Sequence, residues 1–148
     1  MPIVTTIEGR IAQVAIDRPE KRNTLSSELC KDLAREFLEL NDDTRVRSIV
    51  LCGHNNVFCA GLDIEEQLAE NTPIFNEFQK VIDALDALSK PVVAAVSGPA
   101  VSQGAAMLYH CDLVFAGEHA LFSMPGLALG QTPRYGVSLL AVKSGGYK

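Results

Sequence analysis

The sequence has 148 residues, 47% of them hydrophobic, and a formal net charge of −5. That is enough apolar chain for a single domain spanning 1–148 with a sizeable core, and no cluster of Lys and Arg forms the stripe that nucleic acid or an anionic membrane requires. A few local cations can still meet an anionic cofactor, so the balance excludes only an extended basic face.

The opening MPIVTTIEGR has neither the basic start nor the apolar run of a signal peptide. VTTIEGRIAQVAID predicts two strands joined by a turn at Glu8-Gly9, with Val14 and Ile16 on one face. RPEKRNTLS is polar and contains proline, and is expected to be a loop. LSSELCKDLAREFLEL predicts an amphipathic helix whose apolar face carries Leu25, Leu29, Leu33, Phe37 and Leu40, with Thr24 or Ser26 as its cap. SIVLCG is apolar on successive residues, as expected of a strand buried on both faces. After the polar HNN comes VFCAGLDI and the acidic EEQLAE. IFNEFQKVIDALDALSK predicts a second helix, with Ile74, Phe78, Val81 or Ile82, and Leu85 inward. PVVAAVSG predicts a buried strand, PAVSQGAAMLYHC a loop running into a helix, and DLVFAG a further strand. PVVAAVSGPAV is too short, and too broken by Gly98 and Pro99, to cross a membrane. Strands alternating with helices define an α/β fold with parallel strands.

Cys30, Cys52, Cys59 and Cys111 form no CxxC pair, which fits a reduced, cytoplasmic protein. Cys52, His54 and Cys59 lie close in sequence, but their spacing matches no common zinc pattern. They read as core thiols and a loop histidine, and no metal is expected.

Two turns carry the chemical interest. FCAGLD follows a strand and precedes a short acidic helix, and small side chains there leave the backbone amides open to a ligand. About forty residues later, SGPAVSQGAA again links a strand to a helix. One N–H from each turn can converge on a single oxygen, the requirement of an oxyanion hole. Either turn alone is equally well a tight connection, and neither has the GxGxxG or GxxxxGK[ST] form of a nucleotide loop.

FCAGLDI together with KPVVAAVSGPAVSQGAAMLYHCDLVFAGEHALFSMPGLALG resembles the enoyl-CoA hydratase/isomerase (crotonase) family, and the likeness runs from IAQVAIDRPEKRNTLS to about Val142. PAV followed by LGQTP is most similar to the delta3-delta2-enoyl-CoA isomerase and chromodomain-linked branch. The resemblance implies an α/β crotonase-like spiral of repeated ββα units, assembled as a homo-oligomer of three or six chains. It implies an acyl-CoA substrate, with coenzyme A as part of that substrate and no permanently bound cofactor. Carried over by motif, the thioester carbonyl is held by the backbone N–H groups of Leu62 and Gln103. Ala60, Gly61, Asp63, Ile64 and Gly104 would line the CoA and acyl path, and Lys21 and Arg22 would pass the phosphates of the nucleotide.

The departures from that pattern matter equally. The two glutamates of the hydratases would stand where this sequence has Ala106 and Gly126, and the isomerase glutamate where it has Arg134. Two-glutamate hydration is therefore not expected. An enzyme using the amides for enolate chemistry, such as decarboxylation, is one reading. Arg134 or Tyr135 would then orient a substrate carboxylate, and His110, one helical turn after Ala106, is a further candidate. A CoA-binding module without turnover and an assembly role are the others. The resemblance also implies C-terminal helices that complete the acyl pocket and the trimer contacts. With the sequence ending at SGGYK, that region is expected to be absent.

Overall fold

The computed structural model describes residues 2–145, apart from the side chains of Leu127 and Leu129. Strands β1 (Ile3–Glu8) and β2 (Ile11–Ile16) form the expected hairpin, Ile3 opposite Ile16, with Gly9 in the left-handed region at the turn (φ +60°). Helix α1 (Ser27–Asp42) begins where Ser26 Oγ accepts a hydrogen bond from the Leu29 amide at 3.1 Å, so Ser26 rather than Thr24 is its cap. Strand β3 (Ser48–Gly53), helices α2 (Ile64–Gln67) and α3 (Ile74–Asp86), strands β4 (Val92–Val96) and β5 (Pro99–Val101), and helix α4 (Gln103–Leu108) follow. Strands β6 (Leu113–Ala116) and β7 (Leu121–Ser123), a 3₁₀ turn at Pro125–Leu129 and helix α5 (Val137–Gly145) complete the described chain.

The main sheet has the order β1-β2-β3-β4-β6; β2, β3, β4 and β6 run parallel and only β1 is antiparallel. A second ladder runs beside it: Leu25 bridges Leu62, Cys59 bridges Ala100, and β5 pairs with β7, all parallel. The chain thus visits the large sheet, then the small ladder, then a helix, and repeats. This is the spiral of ββα units. The short strands β5 and β7 escape periodicity reading because three residues cannot display an alternation.

One core joins Ala12, Val14 and Ile16 of β2, Ile49 and Leu51 of β3, and Val92, Ala94 and Val96 of β4 to the inward faces of α1 and α3. Leu29, Leu33, Phe37 and Leu40 supply the α1 face; Ile74, Phe78, Val81, Ile82 and Leu85 supply the α3 face. The expectation that β3 is buried on both faces is corrected. Ile49 and Leu51 are fully buried, whereas Ser48, Val50 and Cys52 are only half-buried, because helices cover one face of the sheet. β4 alternates in the same way, and β6, the outer strand, is exposed at all four residues. No described helix is long and apolar enough to cross a membrane.

Candidate active site

The turn at 58–63 is held from two sides. On one side, the amides of Phe58 and Cys59 donate to the Pro99 carbonyl at 3.0 and 3.2 Å, and the Val101 amide donates to the Cys59 carbonyl at 2.9 Å. On the other, the Ala60 amide donates to the Arg22 carbonyl (3.2 Å), the Leu25 amide to the Gly61 carbonyl (2.8 Å), and the Asp63 amide to the Leu25 carbonyl (2.8 Å). The Gly61 amide meets Cys59 Sγ at 3.4 Å. Along 58–63, only the Leu62 amide has no protein acceptor among the described residues. Buried backbone donors are nearly always paired, so an open one marks a place kept for something else.

The second turn leaves a similar donor. The Ser102 amide donates to the Ser123 carbonyl at 2.8 Å and the Ala106 amide to the Ser102 carbonyl at 2.9 Å, while the amide of Gln103, the first residue of α4, has no acceptor among the described residues. Ser102 is left-handed, with φ 54° and ψ −117°. That backbone is unusual for a residue with a Cβ and costs about 1–3 kcal/mol, so the surroundings must impose it. Two glycines allow the turns to touch. Gly61 (φ +101°) lies so close that a Cβ there would stand 3.2 Å from Ser102 Cβ and 3.3 Å from Gln103 Oε1. A Cβ on Gly104 would collide with the Cys59 carbonyl.

A cavity of about 390 Å³ opens at this junction, lined by Ala60, Leu62, Ile64, Phe75, Ser102 and Gln103 among others. A second, of about 180 Å³, is lined by Ala106, Gly126, Thr132, Arg134 and Tyr135. Ser102, Gln103 and Gln131 line both. Gln67, Phe75, Ser102 and Gln131 were not expected at the site. Nothing local in the sequence marks them, since three come from segments brought in by α2, α3 and the chain after the 3₁₀ turn.

The expected residues divide. Leu62 and Gln103 share one cavity with Ala60 and Ile64, while Arg134 and Tyr135 share the other. Asp63 lines neither cavity. It is 5% exposed, its Oδ2 pairs with Arg18 Nη1 at 3.0 Å, and its Oδ1 accepts from the Glu65 amide as the cap of α2. Gly61 and Gly104 shape the junction rather than line it. Lys21 Nζ is engaged by Glu65 Oε2 at 2.9 Å, and that hydrogen bond raises its pKa. Arg22 is exposed and contributes its carbonyl to the turn; neither cation reaches the cavities. His110 lies beyond the end of α4 and also lines neither cavity: its Nδ1 is 2.7 Å from Asp86 Oδ1 and its Nε2 is 2.9 Å from the Tyr135 carbonyl oxygen. Both ring nitrogens are occupied in tying α3 to the chain after Pro133.

A polar scaffold carries the first turn. Asn23, fully buried and left-handed (φ 56°), donates from Nδ2 to the carbonyls of His54 (3.0 Å) and Val57 (2.7 Å) and accepts from the Arg18 amide at 2.8 Å. Glu66 Oε2 accepts from the Ser27 amide and hydroxyl at 2.9 and 2.6 Å. The acids near the turn are therefore committed to structure. Burial pushes the Tyr135 phenol up to about 12, so it stays neutral at ordinary pH. Burial likewise pushes the Cys59 thiol up to about 12, which makes it a core thiol and not a nucleophile.

A family profile described as Enoyl-CoA hydratase/isomerase matches residues 6–148. The chain is 35% identical over 139 residues to a short-chain-enoyl-CoA hydratase of Clostridium acetobutylicum, covering 90% of this chain and 53% of that protein. It is 31% identical over 146 residues to the 2,3-dehydroadipyl-CoA hydratase of Escherichia coli K12, covering 97% and 57%. A crystal structure of an enoyl-CoA hydratase/isomerase from Pseudoalteromonas atlantica T6c matches with a TM-score of 0.91 at 32% identity, over 99% of this chain and 58% of that one. The chain spans about half the length of the curated relatives it matches. The spiral fold and these matches agree: the chain belongs to the enoyl-CoA hydratase/isomerase (crotonase) family.

Proposed function

We propose that this chain binds an acyl-CoA thioester with the thioester oxygen between the N–H groups of Leu62 and Gln103. The observation that carries this reading is the Leu62 amide, alone without an acceptor along its turn, in a cavity shared with Gln103. Donors fixed before the charge develops stabilise an enolate oxygen, and losing one such donor typically costs about 100- to 1,000-fold in rate. The chemistry this favours creates an enolate without a protein carboxylate, as loss of CO₂ from a 2-carboxyacyl-CoA such as malonyl-CoA does. Among the described residues, none that lines the two cavities is an acid, which speaks against two-glutamate hydration. Coenzyme A is part of the substrate in this reading, with Arg22 at the surface beside its phosphates.

A second reading, a module that binds acyl-CoA without turnover, is favoured by that same lack of acids. Self-association belongs to both readings, since Leu113, Val114 and Phe115 of β6 and Leu121 and Phe122 of β7 are exposed. Calorimetric titration with crotonyl-CoA and malonyl-CoA, followed by mass analysis of the acyl group, tests both. Binding with a changed acyl mass supports the enzyme, binding with an unchanged mass supports the module, and no heat with either thioester overturns the acyl-CoA reading.

A further inference from the structure

We infer that the smaller cavity takes a carboxylate carried by the acyl group, so that the preferred ligands are acyl-CoA thioesters of dicarboxylic acids. The inference rests on the acyl-CoA reading above. Ala106 and Gly126, the two places where the family pattern calls for glutamates, both line this cavity, and their small side chains leave it open. Among the described residues, no Asp or Glu lines it and Arg134 is its only charged lining residue. The Arg134 guanidinium lies 4.9 Å from the centre of the Phe75 ring, and it enters no ion pair among the described residues. A planar fork of donors held against an aromatic ring, without an anion, is suited to bidentate carboxylate recognition.

Gln103 is the second observation. It is 8% exposed and lines both cavities. Its Oε1 accepts from Ser102 Oγ at 2.7 Å, and its Nε2 has no acceptor among the described residues. That leaves an amide donor at the cavity lining free to meet an acceptor. Thr132 adds a hydroxyl to the same lining. The cavity therefore offers donors and a cation but no anion. Gln103, Ser102 and Gln131 border both cavities, so the two sites are neighbours.

The test compares glutaryl-CoA with valeryl-CoA, which has the same number of acyl carbons and no terminal carboxylate, by calorimetry on the full chain. A charge-assisted pair predicts glutaryl-CoA binding about tenfold more tightly, the preference weakening at high salt. In Arg134→Gln the ratio should fall close to one, and Arg134→Lys should restore part of it, with thermal melts confirming that both variants fold. Equal affinity of the wild-type chain for the two thioesters, or a preference unchanged in Arg134→Gln, overturns the inference while leaving the acyl-CoA reading standing. Failure of both thioesters to bind overturns that reading and the inference together.

Discussion

Gly61 and Gln103, forty-two positions apart, meet so closely that a single methyl on Gly61 would stand 3.3 Å from the Gln103 side-chain oxygen. Their approach brings Leu62 and Gln103, whose amides have no acceptor among the described residues, into the lining of one cavity. Gly61→Ala should therefore act twice. Its φ of +101° disfavours a Cβ, and the added methyl wedges the turns apart. Denaturant melts should show a loss of about 1–3 kcal/mol, and acyl-CoA affinity should fall further than stability accounts for. Full stability with unchanged affinity would show that the junction tolerates separation.

The pair between Arg18 and Asp63 is 20% and 6% exposed at its side chains and stands directly behind Leu62. Asp63→Asn removes the buried partner of the guanidinium and leaves it only the exposed Glu20 at 3.8 Å, and urea unfolding should show a loss of about 3 kcal/mol. Lys21→Ala, which breaks an exposed pair with Glu65, should change the midpoint little. Similar effects of the two substitutions would contradict the difference in burial.

His110 is the clearest contrast between a chemical and a structural role. Its ring nitrogens are held by Asp86 and the Tyr135 carbonyl, so His110→Ala should cost about 1–3 kcal/mol in stability and leave acyl-CoA binding measurable. Loss of binding or turnover at unchanged stability would return His110 to the chemistry.

Thiol reactivity follows burial. Cys30 is buried, its thiol pushed up chiefly by desolvation; Cys59 and Cys111 are raised to about 12 by the same cause, while Cys52 is half-buried. Iodoacetamide at pH 8, followed by peptide mass analysis, should modify Cys52 first and Cys59 only after unfolding. The same raised values make stability full below the unfolded-state thiol pKa near 9 and falling as pH rises from there toward 12, because only the unfolded chain then gains by ionising.

At the acid end, the hydrogen bond from Arg45 holds the Asp43 carboxyl down to about 2. A lowered folded pKa contributes stability above the unfolded value of 3.8 and loses it as pH falls from there toward 2. The pair is exposed, so the effect is small. Asp43→Asn should flatten the urea midpoint across that window, and identical acid profiles would remove Asp43 from it.

Much of this protein was legible from local pattern. The four-residue recurrence of Leu29, Leu33 and Phe37, the glycine at the β1–β2 turn, and the apolar runs at β3 and β4 specify their elements because the relevant forces act within a few residues. The two small-residue turns were visible for the same reason, and the family motifs in them carried the expectation about Leu62 and Gln103. What those residues meet was not legible. That Asp63 turns to Arg18, that His110 bridges Asp86 and Tyr135, and that only one face of β3 is covered depend on contacts between distant segments, which no local periodicity encodes. Ser102 shows the limit most plainly. Serine has no preference for φ 54°, and contacts from distant segments, the hydrogen bond to Ser123 and the close approach of Gly61, help hold it there.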